Sequence, residues 1–111
     1  MVETLGKVTV PVPGTPVRLT INRPVPTDRY ACHAILVQAV FNNTGRVYVG
    51  TSAMNKATLA NVHAQLAIPT ANQIPSFSAA LTIAPNAIQA QDIFLDADVA
   101  GEGAIVTALI A

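Results

Sequence analysis

The chain has no tryptophan, a single cysteine, and only six basic and six acidic side chains among its 111 residues. A lone cysteine, Cys32, excludes an intrachain disulfide and any zinc site built on cysteines. Cys32 follows Tyr30 and Ala31 in an apolar run, where a free cysteine behaves as a small buried hydrophobe. His33 points to the opposite face if this segment is a strand, which leaves a thiol–base pairing of the two weak. Charged residues make up 11% of the chain, against a usual ~25%. The six cations, Lys7, Arg18, Arg23, Arg29, Arg46 and Lys56, are scattered, which speaks against a phosphate-tracking surface and hence against nucleic acid as a partner. No run of eighteen apolar residues is present to cross a membrane as a helix. The opening Met1-Val-Glu-Thr-Leu-Gly-Lys7 carries an acid and no apolar core of a signal peptide, so the expectation is synthesis and folding in a cytoplasm.

What the chain has in quantity is apolar surface. Hydrophobic residues reach 51% at zero net charge, too few charges to cover an ordinary monomer, and the expectation is that some apolar area meets another protein. The length suits one domain, residues 1–111, with a core large enough to need neither metal nor disulfide.

Periodicity two dominates the pattern. Residues 7–12 read as a strand with Val8, Val10 and Val12 on one face, and Pro11 and Pro13 place it at an edge, so 1–16 is expected as an extended arm or edge strand. Residues 17–22 alternate Val17, Leu19 and Ile21 with Arg18 and Thr20, the clearest amphipathic strand. Two prolines in 23–29 predict an extended crossing loop. Residues 31–41 form a long apolar run expected as a central strand buried on both faces. Asn42-Asn-Thr-Gly45 predicts a tight hairpin into a return strand at 46–50, with Val47 and Val49 inward and Arg46 and Tyr48 outward. Residues 51–66 read as a single helical turn or irregular loop, 67–75 as a proline-punctuated connection, 76–83 as a strand and 84–87 as a turn. The end of the chain reads as strands at 92–98 and 102–110, closed by the turn 99–103. The six glycines at 6, 14, 45, 50, 101 and 103 are all expected at turns. Seven to eight short antiparallel strands with at most one short helical turn argue for an all-β fold, a β-sandwich or jelly roll.

Few residues suggest chemistry. Asp96 and Asp98 project from one strand face about 7 Å apart, and with Glu102 they form a loose calcium candidate, since calcium draws several oxygens from an enclosing loop. The spacing is not that of an EF-hand, and the competing expectation is carboxylates that cap turns or pair across subunits. His33 and His63 lack a third ligand for zinc. The serines are not set in a nucleophile elbow, and the glycines do not make a phosphate-cradling loop. The reading is a protein that is not an enzyme, with no catalytic residues and no cofactor.

The run Phe41-Asn-Asn-Thr-Gly-Arg-Val-Tyr-Val-Gly50, followed by Asp92-Ile-Phe-Leu-Asp-Ala-Asp-Val-Ala-Gly-Glu-Gly-Ala-Ile-Val106, resembles small virion structural proteins of tailed bacteriophages. The resemblance covers about two-thirds of the chain, from residue 31 to the end, and rests on structural hairpins. It implies a capsid decoration or cement protein, commonly a homotrimer, made in the host cytoplasm and attached to the major capsid protein on the virion surface. Val8, Val10, Val12 and Tyr48 are then the expected partner-binding residues. Other readings are a neck, tail or fibre-base component, or a carbohydrate-binding module for host surfaces using Tyr48, Asp96 and Asp98.

Overall fold

The computed structural model describes residues 2–23, 30–80 and 88–110. Among these, nine strands and one short 3-10 turn form two packed antiparallel sheets. The strands are β1 (Val2–Thr9), β2 (Val17–Arg18), β3 (Ala31–Ala39), β4 (Val47–Asn55), β5 (Ala60–Leu66), β6 (Ser76–Ala80), β7 (Ile88–Gln89), β8 (Phe94–Ala97) and β9 (Gly103–Ile110), with the 3-10 turn at Ala90–Asp92. One sheet runs β1-β9-β3-β6 with β7 also paired to β3, and the other runs β2-β8-β4-β5. Counting β6 and β7 as one interrupted strand, first pairs with last, second with next to last, and so inward to the hairpin β4–β5. This nested pairing is that of a jelly roll, and the all-β sandwich expected from the alternation is the fold observed.

The core fills the space between the sheets. Val8, Ile35, Val37, Val106 and Ala108 point inward from the first sheet, and Val47, Val49, Leu66, Leu95 and Ala97 from the second. Burial of this kind stabilises by roughly 1.5–3 kcal/mol for each large aliphatic side chain. Three glycines that were expected at turns, Gly6, Gly50 and Gly103, lie in strands, and at the last two neighbouring backbone leaves no room for a side chain. A Cβ on Gly103 would fall on the Val8 carbonyl, and one on Gly50 would fall on the Asn61 carbonyl.

Several expected elements take other forms. Only Val17–Arg18 of 17–22 is strand, because Ile21 N–H bonds back to the Arg18 carbonyl and Arg23 N–H to the Thr20 carbonyl, curling 18–23 into turns. Strand β3 is central but buried on one face, with Leu36 exposed on the other. The turn at 42–45 does not close a hairpin, since β3 and β4 belong to different sheets. The same holds for β8 and β9 around 99–103. The expected loop or helical turn at 51–66 is the outer half of the β4–β5 hairpin. Strand β1 begins five residues before the one expected and ends at Thr9. The end of the strand expected at 76–83, the turn at 84–87 and most of the 23–29 loop lie outside the described residues.

Candidate functional site

A dense polar cluster lies where three chain crossings between the sheets meet. Val10 N–H donates to the Glu102 carbonyl, Gly101 N–H to the Val10 carbonyl, and Val40 N–H to the Gly103 carbonyl. The Asn43 side-chain amide reaches the same Gly103 carbonyl at 2.8 Å. Over this knot the Glu102 carboxylate accepts three hydrogen bonds, from Thr44 N–H, the Thr44 hydroxyl and Gly45 N–H, at 2.7 to 2.9 Å. Burial works against ionisation of Glu102, but these bonds outweigh it and hold its carboxyl below the ordinary value.

The other two carboxylates of the calcium candidate serve different partners. Asp96 is buried, and its Oδ1 accepts Gly14 N–H at 2.9 Å and Ala97 N–H at 2.8 Å, which pins the 13–16 turn to β8. Asp98 accepts the Tyr48 hydroxyl at 3.1 Å and faces the Lys56 ammonium at 3.5 Å. Among the described residues no three His, Cys, Asp or Glu side chains converge as a metal site. What the three acids do together is tie turns and a hairpin to the sandwich.

The hairpin explains why Asp96 and Tyr48 are buried although both occupy the outward row of their sheet. Register shifts around Gly50 interrupt the β4–β5 ladder. Beyond them, Met54 is buried and the Lys56 ammonium donates to the Ala97 carbonyl at 2.7 Å. The outer half of the hairpin therefore reaches back to β8 and covers part of its own sheet's outer face. Burial first, and then the Asp98 carboxylate, raise the Tyr48 hydroxyl above its usual value, so it stays a protonated donor.

The four residues expected to bind a partner separate accordingly. Val8 and Val10 are fully buried in the core between the sheets and leave no side-chain surface for another protein. Tyr48 is also buried, 5% exposed, and offers no ring to a sugar or a capsid. Val12 alone is exposed, in the bend that follows β1. Nor does β1 present an open edge along its length. The Asn22 side-chain amide donates to the Leu5 and Lys7 carbonyls, two acceptors that an added strand would need, and a bulge at Gly6 (φ 78°) interrupts the ladder.

Sequence reasoning missed a different surface, the outer face of the β1-β9-β3-β6 sheet. Val2, Leu36, Ile105 and Leu109 all project from it into solvent. The signal was present in Gly103-Ala-Ile-Val-Thr-Ala-Leu-Ile110, where both parities are largely apolar although only one faces the core. An open trough of about 740 Å³ lies beside β5 and β6, where the His63 ring stacks on Phe77 at 6.4 Å and Thr51 and Asp92 contribute to the lining. Comparison with protein-family models, with curated proteins and with solved structures returns no significant match.

Proposed function

We propose that this chain is a non-enzymatic bacteriophage virion structural protein of the capsid-decorating type, which binds the outside of an assembled head and stabilises it. The observation that carries this reading is the way polar and apolar groups are spent. Asp96, Asp98 and Glu102 are engaged in holding the protein's own turns and hairpin, while one sheet face presents Val2, Leu36, Ile105 and Leu109 to solvent. Rigid polar groups turned inward and apolar area turned outward suit a protein whose task is contact, and low charge suits one that works within an assembly.

Stabilisation of the head needs no chemistry. A protein that binds only the assembled shell shifts the equilibrium toward it by mass action, worth about 2.7 kcal/mol per site when the free concentration is a hundred times Kd. The contact partner in this reading is the major capsid protein, and the decorating unit is a homo-oligomer. Val8, Val10 and Tyr48 are buried and contribute nothing to such a contact, while Val12 is exposed.

The test is co-sedimentation of purified protein with expanded, undecorated phage heads, followed by cryo-electron microscopy of the mixture. Saturable binding with density at the shell's local symmetry axes supports the reading. Density only at the neck or tail, at a few copies per particle, moves the protein to those parts of the virion, and absence of binding sinks the proposal.

A further inference from the structure

The two outer faces of the sandwich are treated differently by the same chain. On the β2-β8-β4-β5 side, Met54 and Lys56 of the hairpin and the turn at Gly14 cover Tyr48 and Asp96. On the β1-β9-β3-β6 side the register sets out three bare rows. Leu109 lies between Val2 and Ala34, Thr107 between Thr4 and Leu36, and Ile105 between Lys7 and Gln38. Val2 is 67% exposed and Leu36, Ile105 and Leu109 each just over 40%. Lys7, at a corner, is the only charged side chain in these rows. Between the Leu36 and Leu109 side chains runs an apolar groove of about 310 Å³, with Ala34 and Thr107 in its lining.

We propose that this face is the contact between two copies of the chain, packed sheet on sheet about a two-fold axis. Two arguments select a second copy as the occupant. The first is charge: a face with one peripheral cation meets its own image without opposed charges at the centre, and its aliphatic ridges and groove are complementary to each other. The second is area. Four strands about 4.8 Å apart and three rows of side chains present roughly 500 Å² once their relief is counted, so two copies bury about 1,000 Å², the lower bound for a specific interface. Aligned sheets pack about 10 Å apart with interdigitated side chains, and each copy can seat a leucine in the other's groove. An isologous contact of this kind closes at two, in place of the trimer that the resemblance implies.

The inference does not depend on the virion reading, and its test uses the purified full-length protein alone. Sedimentation equilibrium from about 1 to 100 µM covers the dissociation range of a small interface. A reversible species of twice the chain mass is expected. Leu36→Glu, which places two buried carboxylates in the contact, is expected to raise the dissociation constant at least about tenfold. Leu59→Glu, at an exposed site in the β4–β5 turn off the face, is expected to leave it unchanged. Circular dichroism establishes that both variants fold, and Leu109→Lys serves as the second face variant if Leu36→Glu does not. A monomer throughout the range, a trimer, or a dimer indifferent to both face substitutions overturns the proposal. A monomer whose Leu36→Glu variant loses binding to phage heads also overturns it, and assigns the face to the shell. A dimer that binds no head leaves this inference standing and removes only the virion reading.

Discussion

Glu102 is the residue whose role is clearest in physical terms. Its carboxylate supplies acceptors for three donors of Thr44 and Gly45, and in return is held ionised below its ordinary value of 4.5. A group whose pKa is depressed in the folded state contributes stability above its unfolded pKa and loses it as pH falls through the folded value. Glu102→Gln keeps the shape and removes the charge, so the variant is expected to be about 1 kcal/mol less stable at neutral pH. That gap is expected to close in acid, once the wild-type carboxyl is protonated. Urea unfolding of both proteins at pH 7 and again at about pH 3 reads it; a gap that persists unchanged in acid would show that geometry, not charge, is at work. The clustering of Asp96, Asp98 and Glu102 was visible in the sequence, and so was the alternative that they cap turns. Which donors each would meet was not, because Gly14 and Thr44 are distant in the chain and reach these acids only through the fold.

The element that departs furthest from expectation is the β4–β5 hairpin. Residues 51–61 are mostly small or polar and mostly exposed, so no period of two marks them as strand, and the backbone at Leu59 and Asn61 takes positive φ near 60° without a glycine to announce it. Asn42-Asn-Thr-Gly45, by contrast, announces a turn correctly but says nothing about which sheet receives the next strand. Lys56 is what fastens the outer hairpin to β8. Lys56→Met retains the aliphatic stem and removes the anchor. Amide exchange over residues 51–59 is expected to quicken by about tenfold while β3 and β9 are unaffected, with a loss of global stability under about 1 kcal/mol. Unchanged exchange in the hairpin would mean that Met54 and the backbone ladder alone hold it.

Across the whole molecule the nested pairing joins the ends of the chain first to last, with Val2 opposite Leu109. Few of these contacts are local, and the loop entropy for most strand pairs is spent before any contact rewards it. Refolding from urea is therefore expected on the millisecond-to-second scale, measured by stopped-flow tyrosine fluorescence. A microsecond phase carrying the full amplitude would contradict this account.

Alternation of apolar and polar residues by itself determined that the protein is an antiparallel β-sandwich, with Val47 and Val49 facing its core, since a half-buried strand writes its burial into every second residue. It also placed the turns around Gly14, Asn42 to Gly45 and Gly101, through proline, glycine and asparagine. Only the tertiary structure decided that β3 and β4, and likewise β8 and β9, part into different sheets, that Val8, Val10 and Tyr48 are interior, and that one outer face is covered by its own hairpin while the other is bare. The physical reason is that a strand's pattern records how much of each face is buried and not by what. The same apolar residue satisfies the pattern whether it meets its own core, a folded-back hairpin or a second molecule.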